Sequence, residues 1–130
     1  MATLTYNGQT NQLTLTRSDG TTETWTAHNN AQTSSTGKMS NGTHNFVWHS
    51  PHSGAGANSA YGSHGNFIFD VPGRTGMGVH SGRATSTDGA GRTGTAYATN
   101  GCIRTTDAAT ERIQNVHATD PITSLTVLNN

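Results

Sequence analysis

The run QLTLTR at 12–17 alternates polar and apolar residues without a break and is bracketed by Asn7-Gly8 and Asp19-Gly20. A period of two puts every second side chain on one face of an extended strand, and Asn-Gly and Asp-Gly supply the positive φ values that tight hairpins need. Residues 1–27 therefore read as an N-terminal β-meander of Leu4 to Tyr6, Gln12 to Arg17 and Thr22 to Thr26. Such strands leave half their side chains in water. The composition suits this, with 30% of residues apolar, 11% charged and much of the remainder Thr, Ser, Asn and Gly.

The same reading extends down the chain. His44 to Trp48 is expected to be a strand, NFIFDV at 66–71 a buried central strand, Met77 to His80 a further one, and the alternating run Ile122 to Leu128 the last. Residues 28–43 are polar and irregular, and a Gly/Ser/Ala loop runs through residue 60. The stretch SGRATSTDGAGRTGTAYA at 81–98 holds almost nothing that could pack a core, and long loops of that kind inside a compact domain are usually functional or mobile. One helix is expected after Cys102, with Asp107 as N-cap, Glu111 in its first turn and Ala109, Ile113 and Val116 on one face, ending near His117. At 130 residues the chain has the size of one domain. The expected fold is mainly β: a single-domain β-sandwich of mixed sheets over 1–130, with one short helix.

Charge narrows the function. Seven acidic residues balance seven basic ones, so nothing resembles the clustered Lys and Arg that bind nucleic acid or an anionic membrane. No apolar run approaches the roughly 20 residues that cross a bilayer. MATLTYNGQT lacks a basic stretch followed by an apolar segment, so no Sec-type signal peptide is visible. The single cysteine forms no internal disulfide and is either a small buried hydrophobe or a reactive thiol.

Its neighbours favour the second. Cys102 follows Gly101, precedes the helix and is flanked by Arg104; a helix N-terminus and a cation both favour thiolate. A glycine at 101 lets backbone approach a tetrahedral intermediate and aim consecutive N–H groups at its oxyanion. His80 ends a predicted strand, a rigid place from which an imidazole can take a thiol proton, provided that the intervening loop folds back.

MGVHSGR at 77–83 and TNGCIRTTD at 99–107 resemble the YkuD-type L,D-transpeptidase catalytic domain, whose signature is a strand-borne His, a variable loop, then Ser/Thr-His-Gly-Cys, an apolar residue and Arg or Asn. The matching residues are His80, Thr99, Gly101, Cys102, Ile103 and Arg104, and NGTHNF at 41–46 is similar to the family's Pro-x-Gly-x-Phe strand entry. The resemblance covers about 38–128. Asn100 stands in place of the family's second His, and the loop between His80 and Cys102 is longer than usual, which implies altered substrate access.

What the resemblance implies is ping-pong acyl transfer on peptidoglycan stem peptides without a cofactor. Cys102 would be the nucleophile and His80 the base, its ring oriented by the carbonyl of Ser81; Gly101 would complete the catalytic loop. Arg104 would read a substrate carboxylate or brace the loop, with Thr99, Asn100 and Tyr61 on the substrate side. The chain is also similar in size and layout to the small members without a signal peptide that some bacteria inject into rivals as type VI-secreted antibacterial effectors, a resemblance that implies delivery to a periplasm or cell wall and a paired immunity protein; a monomer is the default.

Plainer readings stand beside these. Cys102 could be a buried strand-end residue, His80 a core-edge His satisfied by backbone, and Arg104 a surface partner of Asp107. His117, downstream of Cys102, would suit a papain-like or NlpC-type order, but its place near the helix end is explained by the dipole. The rival functions are a non-catalytic wall-binding β-domain and a zinc-dependent hydrolase using His44, His49 and His52, although Pro51 argues for a turn there rather than a helical ligand pair.

Overall fold

The computed structural model describes residues 1–31, 37–51 and 56–129. The N-terminal meander forms β1 (Ala2–Asn7), β2 (Gln12–Thr16) and β3 (Thr22–His28), with Leu4 opposite Leu15 and Leu13 opposite Trp25. Both turns are longer than two residues. In the first, the Asn7 side chain accepts from the N–H of Gln9 and Thr10, and Asn11 takes φ 54°. In the second, Gly20 N–H donates to Arg17 O and Arg17 N–H to Thr21 O, with Gly20 at φ 88°, the three-residue hairpin that places glycine in the left-handed position.

β4 (Gly42–Ser50), β5 (Asn66–Phe69), β6 (Gly78–His80), β7 (Ile103–Thr105) and β8 (Ile122–Leu128) complete the set. Parts of the irregular 28–43 stretch and of the loop before residue 60 lie outside the described residues. The expected sandwich is instead one closed barrel in the order β1-β2-β3-β7-β6-β5-β4-β8. The expected mixture of directions is there: β1 runs parallel to β8 and β6 parallel to β7, the other neighbours antiparallel.

Two long strands make the difference. β3 pairs β2 through its first five residues and β7 through Ala27 and His28, while β4 pairs β8 through Gly42–Asn45 and β5 from Phe46 onward, with a register shift between Phe46 and Trp48. Strands that serve two partners in succession turn the corners that would otherwise be two free sheet edges. Leu4, Leu15, Phe67, Val79, Ile103 and Leu125 point inward and are fully buried.

The helix α1 (Asp107–Thr119) buries Ala109, Thr110, Ile113 and Val116, adding Ile113 and Val116 to the barrel core. Its N-cap is Thr106 rather than Asp107: the Thr106 hydroxyl accepts from Ala109 N–H at 3.0 Å. Asp107 sits one position further on, where its carboxylate is free to serve another loop. Among the described residues no helix is long and apolar enough to cross a membrane.

Candidate active site

The parallel pair β6/β7 sets the site. Val79 lies opposite Ile103, both inside the barrel, and His80 lies opposite Arg104. Alternation then sends His80, Arg104 and Cys102 to the other face, and His80 and Cys102 open into one cleft of about 190 Å³. Arg104, Thr99, Asn100 and Tyr61 also line it, whereas Ser81 and Gly101 do not.

The His80 Nδ1–H donates to Ser81 O at 2.7 Å. A carbonyl can only accept, so this bond fixes the proton on Nδ1 and leaves the ring's lone pair on Nε2. The Tyr61 ring packs 4.7 Å from the imidazole at 60°. The Ser81 hydroxyl donates to Asp107 Oδ1 at 2.5 Å, and Ser63 donates to the same carboxylate through its N–H (3.0 Å) and its hydroxyl (2.5 Å). Burial works against the Asp107 charge, but the Ser63 and Ser81 hydrogen bonds hold its carboxyl below the ordinary value. The first turn of α1 thus anchors the segment carrying the imidazole's orienting carbonyl.

Cys102 is 8% exposed. Gly78 N–H donates to its sulfur at 3.4 Å, and the thiol faces Gly76 O at 3.7 Å. Burial pushes the thiol up, opposed by the Gly78 N–H, the charges of Arg104 and Arg74 and the Asn66 side chain. The resting group is therefore a thiol that needs a base. The N–H of Gly101 is committed to Thr99 Oγ1 at 3.0 Å, so the expected pair of consecutive oxyanion donors does not include it as folded. What this glycine supplies is room and conformation: φ is 121°, and a Cβ would collide with Arg74, Met77 and Gly37 O.

Arg104 is 3% exposed and spends its donors on the backbone, reaching Tyr97 O (2.6 Å), Ala98 O (3.1 Å), Ala60 O (2.9 Å) and Ser81 O (3.4 Å). It braces three segments around the cleft and forms no pair with Asp107. Burial, with Arg83 nearby, lowers it to about 10, still protonated at neutral pH.

Other braces carry no sequence signal. Asn29 Nδ2 donates to Gly101 O (2.7 Å) and Cys102 O (3.1 Å) while its Oδ1 accepts from Met39 N–H, and Arg74 donates to Asn100 O (2.6 Å) and Gly37 O (3.1 Å). Asp88 organises the 81–98 loop, accepting from the N–H of Ala90, Arg92 and Ala98 and from Arg92 Nε. Only the position of each in the fold reveals these roles.

Among the described residues, His44 and His49 of the histidine-rich segment do not converge. His44 Nε2 bonds Ser40 O at 2.8 Å, and His49 Nε2 bonds His64 O at 2.5 Å while its ring stacks on Phe67. His52 lies outside the described residues. Among the described residues no three His, Cys, Asp or Glu side chains gather as metal ligands. His117 accepts from Ile122 N–H through Nδ1 and packs against Phe46, at the far end of α1 from the cysteine.

No family model matches the chain, and no curated protein does. Among solved structures it is similar to L,D-transpeptidase 1 of Mycobacterium tuberculosis, with a TM-score of 0.56 at 15% identity, over 98% of this chain and 60% of that one. The chain thus spans less than two thirds of that protein's length, and at this identity the likeness is one of architecture: mainly β with one helix, the fold is L,D-transpeptidase-like.

Proposed function

We propose that the protein is a cysteine acyl-transfer enzyme acting on peptidoglycan stem peptides. The observation that carries this is the opening of His80, at the end of β6, and Cys102, just before its parallel neighbour β7, into one cleft of an L,D-transpeptidase-like fold. His80 Nε2 takes the Cys102 proton, and the sulfur attacks the carbonyl carbon of the third, L-centre residue of a tetrapeptide stem. As the tetrahedral intermediate collapses, the C–N bond breaks, His80 returns its proton to the departing amine of the terminal D-residue, and a thioester remains on Cys102. Water then gives L,D-carboxypeptidase action, a free D-amino acid gives exchange, and a stem-peptide amine gives a 3-3 crosslink. The raised thiol supports a mechanism in which the proton leaves during attack rather than beforehand. Ser81 acts through its carbonyl, Arg104, Thr99 and Gly101 hold the loop, and Tyr61 and Asn100 border the substrate.

The test is incubation with purified tetrapeptide muropeptides, with and without added D-amino acids, read by mass spectrometry. Loss of the terminal residue or its exchange is expected, falling at least about a hundredfold in His80→Ala and vanishing in Cys102→Ala. Unchanged muropeptides overturn the reading. The nearly buried sulfur favours one alternative, a wall-binding domain without chemistry, for which retention on peptidoglycan with no product is the signature. The finer proposal, an antibacterial effector with an immunity partner, predicts that growth of a host bacterium stops only when the chain is directed to its periplasm.

A further inference from the structure

The cleft carries two guanidinium groups, Arg83 and Arg104, and none of the residues lining it is acidic. The carboxylates around it are engaged elsewhere, Asp107 with Ser63 and Ser81, and Asp88 with Arg92. Arg104 is occupied by four carbonyls. Arg83 is different: its Nε is buried and meets no acceptor, and its guanidinium lies over the Tyr97 ring, 5.0 Å from the centroid. A desolvated guanidinium edge without an acceptor is costly unless something supplies one.

The backbone holds it there against its own preference. Arg83 takes φ 54°, a left-handed conformation uncommon outside glycine. Its N–H donates to Ser59 O at 3.0 Å, and the preceding Gly82 passes so close to Ser59 O and Ala60 that a Cβ would not fit. The strained turn therefore lies two residues after Ser81, whose carbonyl orients His80, and delivers a cation to the wall of the same cleft.

We infer that Arg83 is the residue that selects a negatively charged ligand in this cleft, pairing with a carboxylate on the group that approaches Cys102. Resting on the acyl-transfer reading, the carboxylate is the free C-terminal one of the leaving residue, one residue beyond the attacked carbonyl. The fork of a guanidinium matches that group in two parallel hydrogen bonds. Arg83 then makes the enzyme specific for peptides that end at the leaving residue, and excludes those that continue.

Two measurements separate this inference from the reading beneath it. The first alkylates Cys102 with iodoacetate and with iodoacetamide, which form the same sulfur–carbon bond with loss of iodide and differ in charge. The ratio of their rates is expected to fall roughly tenfold from wild type to Arg83→Gln, the lower end for a hydrogen bond to a charged group. Arg83→Lys should keep part of the preference, and salt should weaken it in wild type without any mutation. The second compares a tetrapeptide stem with its C-terminal amide. Arg83→Gln is expected to raise KM for the acid while leaving the amide nearly unchanged. An unaltered alkylation ratio, insensitive to salt, overturns the anion site. Charge selectivity at the thiol without peptide turnover supports the site and sinks the enzyme reading instead.

Discussion

Cys102 shows two forces working on one atom. Burial disfavours the thiolate, while the Gly78 N–H, the Arg104 and Arg74 charges and the Asn66 amide favour it, and the balance stays on the thiol side. Because alkylation follows the thiolate fraction, its rate should rise with pH and reach its midpoint above the ordinary thiol value of 9.0. Asn66→Leu removes one stabilising group and should move that midpoint higher still. Iodoacetamide kinetics from pH 6 to about 10.5, followed by intact mass, measures both. A wild-type midpoint near neutrality that disappears in His80→Ala would mean instead a preformed thiolate–imidazolium pair.

The loop between β6 and β7 is an element without a hydrophobic reason to hold its shape. Within its 81–98 stretch only Ser81, Gly82 and Ala98 are buried, and the rest of that stretch is held by polar bonds, above all those converging on Asp88. Burial would raise the Asp88 carboxyl, but the N–H groups of Arg92, Ala98 and Ala90 and the Arg92 side chain bring it down to about 2. A carboxyl depressed by folding stabilises the fold fully above its ordinary 3.8 and loses that contribution as pH falls toward 2. In acid, then, this loop should loosen ahead of the barrel. Asp88→Asn should loosen it already at neutral pH, with lost hydrogen-exchange protection at Ala90, Arg92 and Ala98 and slower chemistry at Cys102 while the barrel stays folded. Unchanged protection at those three amides would show that the loop is held by something else.

At the scale of the whole molecule, β8 closes the barrel between β1 and β4, with Leu125 opposite Leu4 on one side and His44 on the other. Leu125 is fully buried. Leu125→Ala should cost about 2–5 kcal/mol, as buried leucine truncations do, measured by denaturant unfolding. A loss well under about 1 kcal/mol would mean that the seam is not part of the cooperative unit. The Asp120 carboxylate ties the same region to the turn between β2 and β3, accepting from the Ser18 N–H and hydroxyl and pairing with the N-terminal amine, and these bonds hold it at about 2.

Alternation and turn dipeptides determined the three opening strands, the last strand and the buried face of the helix, because a period of two or 3.6 is a property of neighbours along the chain. The residues flanking Cys102, with the family motif that they and His80 resemble, likewise named the two groups that share the cleft. Whether the sheets stacked or closed was decided only in three dimensions, since β3 and β4 look locally the same whether they serve one partner or two. The helix cap passed from Asp107 to Thr106 because Asp107 had a distant use, in Ser63 and Ser81. The braces at Asn29, Arg74 and Asp88 are legible only in the fold: each is a polar residue in polar sequence, and what makes it matter is the remote backbone it meets. A sequence records which groups a chain carries; the pairing of distant segments decides which of them face each other.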